Sequence, residues 1–156
     1  MKLNIGCGND KRAGYVNIDV RSEVNPDMII DVEKELLSRF QDNSCDEIIC
    51  IDFIEHLSFN RVEDFLKDCH RILKRGGKLI VQVPDIELHC KNILEGKYNW
   101  KELSYWIYGA QNHEYNYHKS GFTRSELVKL LTKLGFKVIK IERVNTNTYC
   151  EAIKEK

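Results

Sequence analysis

One stretch limits the possible folds more than any other: CDEIICIDFIEHLSFNRVEDFLKDCHRILKRGGKLIVQVP, residues 45–84. Residues 47–51 and 78–83 are apolar runs of strand length, of the kind buried on both faces of a parallel sheet. Between them, over 60–75, Val62, Phe65, Leu66, Cys69, Ile72 and Leu73 recur three and four apart and form one apolar stripe of a helix. Ser58 or Asn60 can cap its start, and Glu63 and Asp64 suit the positive end of its dipole. Lys74 and Arg75 suit the other end, and Gly76 offers a left-handed stop. Strand, helix, strand in this order dictates a right-handed parallel crossover. The chain is therefore read as an α/β sheet protein.

The flanking sequence extends the sheet. Short strands are expected at 3–5, 16–18 and 28–30, with connections too short for full helices. A short helix is expected over 33–40, ended by Asp42, Asn43 and Ser44. Two more are expected at 86–95 and 100–108, each followed by glycine. Thr123 to Glu126 reads as a capping box for a helix with Leu127, Leu130, Leu131 and Leu134 inward, ended by Gly135. A strand over 136–144 turns at 145–147 and returns over 149–153, so the last strand must be antiparallel to the one before it. At 156 residues, with no repeat or linker, the chain is expected to be one domain over 1–156, with 85–122 as an insertion on the ligand side.

Ligands of open α/β sheets sit beyond the carboxyl ends of the strands, where strand order reverses. Gly6-Cys7-Gly8 follows the first strand at that point, and missing β-carbons would let a ligand approach the main chain. Asp19 ends the second strand, placed to accept hydrogen bonds from two ribose hydroxyls. A dinucleotide fingerprint would need a third glycine where Lys11 stands and an acid about 20 residues on. Asp19 follows Gly8 by only eleven positions. An NAD-linked oxidoreductase is disfavoured accordingly, and a ligand with a ribose but no pyrophosphate fits better.

Taken together, LNIGCG, NIDV, IIDVEKEL, CDEIICIDFIEHL, LKDCHRILKRGGKLIVQVP and LTKLGFKVIKIE resemble a class I S-adenosylmethionine-dependent methyltransferase of the type 11-like kind, over nearly the whole chain. The resemblance implies a Rossmann-like, doubly wound, seven-stranded sheet of order 3-2-1-4-5-7-6 with strand 7 antiparallel. It also implies an enzyme of class EC 2.1.1.-, with S-adenosylmethionine as cofactor and S-adenosylhomocysteine as product. Gly6, Cys7 and Gly8 would line the methionine part, Asp19 would hold the ribose, and Asp31 would face the adenine, with Val20 and Val32 beside them. Asp52, Phe53 and His56 would close over the sulfonium side. Two departures stand out. Asn4 occupies a usually acidic position, and the helix between the first two strands is missing. Gly14-Tyr15-Val16-Asn17-Ile18-Asp19 resembles the run that replaces this helix in short bacterial relatives, so the helices around strands 1–3 are expected to be reduced.

The aromatic and polar segment after Asp85 is the expected acceptor side. Trp106, Gln111, Tyr115 and Tyr117 are expected to shape the acceptor pocket, since rings with polar tips suit a sugar or small aromatic molecule. Alignment supplies much of the rate of methyl transfer, and a base is needed only if the acceptor keeps its proton. His113 and His118 are the candidate bases. His118 has the stronger support, because Gly109, Gln111, His118, Gly121 and Phe122 resemble a G-x-Q…H…GF pattern of short methyltransferases. Glu55 is expected to be solvated or capping.

Lysine plus arginine equals aspartate plus glutamate, 24 each, so no basic excess favours a nucleic-acid substrate. Six scattered cysteines with no C-x-x-C pair suggest reduced thiols and a cytoplasmic protein. Cys69-His70 and His89-Cys90 lack zinc-site spacing, and no metal is expected. No leader and no span of about 20 apolar residues is read, so no membrane role is expected. The expected function is methyl transfer to a small molecule or sugar, such as a surface-polysaccharide unit, with a homodimer possible. The alternative is a cofactor-binding regulatory or partner subunit without catalysis of its own.

Overall fold

The computed structural model describes residues 1–35 and 37–155. Seven strands, β1 (Lys2–Ile5), β2 (Val16–Asp19), β3 (Met28–Ile29), β4 (Cys45–Ile51), β5 (Leu73–Pro84), β6 (Phe136–Val144) and β7 (Asn147–Lys154), form one sheet ordered β3-β2-β1-β4-β5-β7-β6. The first five pair in parallel, while β7 runs antiparallel to both β5 and β6. Fold class, strand order and the reversed last strand match the expectation. Ile5 pairs with Ile18 and Asn4 with Ile49, so the turns leaving β1, β2 and β4 emerge together at one edge of the sheet.

Among the described residues, four α-helices accompany the sheet: α1 (Phe59–Ile72), α2 (Ile86–Leu94), α3 (Trp100–Tyr108) and α4 (Arg124–Lys133). The stripe of α1 buries Val62, Phe65, Leu66, Cys69 and Ile72, which join Leu3, Ile48 and Leu79 in one core. Each such side chain contributes about 1.5–3 kcal/mol on leaving water.

Three local expectations are corrected. The first helix stops at Ile72, because Leu73 turns extended and pairs with Cys45. Gly76, at φ +77°, works inside an irregularity of β5 and does not end the helix. Over 33–40 the described residues make turns and no helix, while Leu36 lies outside them. Side chains of α1 take the backbone groups a helix would use: Asp68 accepts from the Leu37 N–H, and Arg71 donates to the Leu37 and Phe40 carbonyls. At α4, Thr123 Oγ1 accepts from the Glu126 N–H at 3.2 Å, but the Glu126 carboxylate bonds to Lys129. The reciprocal box forms at Asn99 and Glu102 of α3.

Buried amides occupy the place of the missing first helix. Asn17 Oδ1 accepts from Asn4 Nδ2 at 3.0 Å and from the Arg12 N–H at 2.8 Å. Its Nδ2 donates to Asp27 at 2.9 Å, and Asn4 Nδ2 also reaches the Asp10 carbonyl at 2.7 Å. The loop's backbone is thus tied to β1 and β2, which explains asparagine at position 4. Residues 85–122 leave β5 and return to α4. They are rooted at buried Asp85, which caps α2 through the Leu88 N–H, pairs with Arg143 at 2.7 Å and bridges to Phe122.

Candidate functional site: two joined clefts

The turns after β1, β2 and β4 surround a cleft of about 390 Å³ that is roofed by residues of the 109–122 loop. Gly6, Gly8, Asp19, Val20, Asp31, Val32, Asp52, Phe53 and His56 all line it. Cys7 does not: its side chain is buried, with Sγ 3.5 Å from the Gly8 carbonyl. Gly6 also departs from expectation. At φ +69°, a β-carbon there would overlap the Phe53 ring, so the space its hydrogen leaves belongs to Phe53 and not to a ligand. Gly8, at φ +49°, has only the Arg21 guanidinium near its missing β-carbon, at 3.3 Å.

Asp19 is the best-held polar group of this cleft. It is 7% exposed; Oδ2 accepts from the Gly8 N–H at 2.8 Å and Oδ1 from the Arg21 N–H at 2.9 Å. Arg21 Nε also donates to Oδ1 at 3.3 Å. A carboxylate offers about four acceptor positions, so one remains, on Oδ2, for a hydroxyl in the cleft. Asp31 has one oxygen on the Glu33 N–H at 3.1 Å and the other on Lys34 at 2.9 Å.

A second cavity of about 310 Å³ adjoins the first and shares Asp52, His56 and Asn116 with it. Glu55, Trp106 and His118 line this second pocket together with Thr146 and Asn147 from the β6–β7 turn. Trp106 stacks on His89, with ring centroids 4.4 Å apart. His118 points its Nδ1 at the Trp106 carbonyl, 3.2 Å away, and His56 its Nδ1 at the Tyr117 carbonyl, 3.1 Å away. A carbonyl only accepts, so each Nδ1 carries the proton and each Nε2 holds the lone pair. Burial lowers His56 to about 4 and moves His118 below the usual imidazole value, leaving both rings neutral at pH 7. Burial also pushes the Asp52 carboxyl up and Glu55 well above the carboxylate range.

The remaining expected residues are distributed differently from their assigned roles. His113 and Tyr115 line the first cleft, and His113 Nε2 lies 3.2 Å from Arg21 Nη1. The Tyr115 N–H faces the other ring nitrogen, Nδ1, at 3.3 Å. Tyr117 and Gln111 line neither cavity; Tyr117 is exposed and contributes its carbonyl, while Gln111 sits at φ +55° with its N–H on Asn116. Arg21, Asn116 and Asn147 were not singled out from the sequence. Glu55 is corrected outright: it is 2% exposed, and its Oε2 has no hydrogen-bond partner. The adjoining Glu55-His56 at the end of an apolar strand was the available signal, and the short 3₁₀ turn Ile54–His56 turns it inward.

The 109–122 loop is held over both cavities by backbone bonds. The Lys119 and Ser120 N–H groups donate to the Glu55 carbonyl at 2.8 and 3.1 Å, and Ser120 Oγ donates to the Ile54 carbonyl at 3.1 Å. Gly109 starts the loop at φ +83°, where a β-carbon would press on the Asn116 carbonyl at 2.5 Å. Among the described residues, no helix is long and apolar enough to cross a membrane.

Residues 3–81 match the family described as methyltransferase domain. No curated protein matches the sequence. Among solved structures, the chain is similar to an SAM-dependent methyltransferase of Methanosarcina mazei, at 20% identity over 98% of this chain and 91% of that one, with a TM-score of 0.66. An SAM-dependent methyltransferase of Archaeoglobus fulgidus superposes with a TM-score of 0.71, at 16% identity over 98% of this chain and 85% of that one. A third similar structure is a Burkholderia thailandensis 1,6-didemethyltoxoflavin-N1-methyltransferase with bound 1,6-didemethyltoxoflavin and S-adenosylhomocysteine; identity is 13% over 99% of this chain and 71% of that one, with a TM-score of 0.66. At these identities the likeness speaks for the fold.

Proposed function

This chain belongs to the methyltransferase domain family, and on that premise we propose that it moves a methyl group from S-adenosylmethionine to a small molecule or sugar. The observation that carries this reading is Asp19, buried at the floor of the first cleft and oriented by Gly8 and Arg21 with one acceptor position on Oδ2 to spare. Asp19 would hold a ribose hydroxyl, and Val20 and Val32 would flank the adenine, with Asp31 at its edge. Asp52, Phe53 and His56 would border the sulfonium. When bound, the donor supplies an electrophilic methyl carbon on positively charged sulfur.

The second pocket supports an enzyme over a partner subunit that only binds cofactor. It opens beside Asp52 and His56, where the two cavities share a wall, and is lined by groups that can orient a hydroxyl. His118 presents a neutral imidazole there, while Trp106 and Tyr105 offer flat faces to a ring. Holding two reactants in line across such a wall accounts for much of the rate of a displacement at carbon.

The test is thermal denaturation with S-adenosylhomocysteine. The expected result is a rise in Tm with ligand concentration that Asp19→Ala removes, because the ribose loses its buried acceptor. A flat response of the wild-type chain at about a thousand times an ordinary micromolar Kd, where a ligand adds about 4 kcal/mol, overturns the reading.

A further inference from the structure

We propose that Glu55, His56 and His118 hold a divalent transition-metal ion at the floor of the second pocket. A carboxylate oxygen of Glu55 and one ring nitrogen of each histidine lie within 4.8 Å of one another. Atoms bound at about 2.1 Å to one ion sit about 3–3.5 Å apart, so groups this close can converge on one ion. Both rings are already set for this task. Each Nδ1 donates to a backbone carbonyl, of Tyr117 for His56 and of Trp106 for His118. That outer bond fixes the tautomer and orients the opposite lone pair, as is usual for histidine ligands.

Glu55 supplies the independent observation. Glu55 is only 2% exposed, it lines the pocket, and Oε2 has no hydrogen-bond partner. A buried carboxyl oxygen without a donor is costly unless something else meets it. A cation coordinated there answers both the empty acceptor and the paired rings. Two nitrogens and one carboxylate suit zinc, iron(II) or manganese, and do not suit calcium, which takes oxygen ligands.

Three protein ligands leave coordination positions open toward the pocket, where Asp52, held by Asn147 Nδ2 at 2.7 Å, stands at the edge shared with the first cleft. An oxygen of the acceptor would fill one such position and lose its proton to water more readily beside the ion. This role in catalysis rests on the methyltransferase reading; the metal site itself does not. It selects acceptors whose reacting group is a hydroxyl, with a second oxygen beside it as an additional ligand.

The experiment uses the untagged full chain, freed of metal with a chelator and titrated by calorimetry with Zn²⁺ and Mn²⁺, and with Co²⁺ as a visible-absorption probe. The expected result is one ion per chain and Co²⁺ bands typical of nitrogen and oxygen ligands. Glu55→Gln and His118→Ala should each weaken binding by about 100-fold or more, beyond the 10–100-fold typical of outer-shell changes. Circular dichroism melts and the S-adenosylhomocysteine response of both variants report whether they remain folded. If the wild-type chain takes up no ion, or folded variants bind it as well as wild type does, the metal site is wrong. Metal uptake without any S-adenosylhomocysteine response would sustain the site and sink the methyl-donor reading instead.

Discussion

Arg21 and His113 meet across 92 residues of chain, with Nη1 3.2 Å from Nε2. The same guanidinium holds Asp19 through its Nε at 3.3 Å, so one side chain links the floor of the first cleft to its roof. Arg21→Ala should therefore loosen both at once. Affinity for S-adenosylhomocysteine is expected to fall about tenfold, the scale of one charge-assisted hydrogen bond of partly exposed groups. Calorimetry reads it directly, and an unchanged Kd would rule out the link. Arg21→Lys should restore little, since a single ammonium cannot serve two partners in a fixed fork.

Gly6→Ala combines two penalties, a positive φ and overlap with the Phe53 ring. The variant is expected to lose about 1–3 kcal/mol in urea denaturation. Adding Phe53→Ala to Gly6→Ala should cost less than the sum of the two single changes, because the overlap disappears while the backbone term stays. Strict additivity would mean that the ring does not rest on Gly6.

Asn17→Ala removes the amide on which Asn4, Arg12 and Asp27 converge. The cost is expected to be about 2–3 kcal/mol, since buried partners are left unmade. Asp19 lies two residues further along β2, so the S-adenosylhomocysteine response should weaken in the same variant. A chain with a normal melt and normal response would show that the β1–β2 loop does not depend on this residue.

His70 gives the pH prediction. Burial lowers its pKa below the ordinary 6.5, and its ring packs edge-on against Phe136. The unfolded chain therefore takes up this proton first. The stability His70 contributes is complete above pH 6.5 and is lost as the pH falls toward the folded value. Melts of wild type and His70→Asn from about pH 8 to about pH 5 should show their difference shrinking as acid is added. A constant difference would show that His70 titrates alike in both states.

Most of the sheet was legible because its signals are local and agree. The β4–α1–β5 unit carries an apolar stripe between two apolar runs, and the β6–β7 hairpin announces itself through the turn at Asn145. Asp19 could be placed because strand ends and glycine spacing constrain it. What failed depended on partners distant in sequence. The helix expected over 33–40 lost its backbone groups to Asp68 and Arg71, and Gly6 lost its open space to Phe53. Glu55 looked like an exposed acid because a one-turn 3₁₀ segment gives no periodicity to read. His113 and His118 stand five positions apart in one loop, yet face different cavities.

The stitching of the loop to the Ile54–His56 turn carries a mechanical corollary. His118 immediately precedes the two stitched residues, so the fastening that spans the cavities also keeps its ring beside Glu55 and His56. Cutting that fastening would release the ring and the cover together.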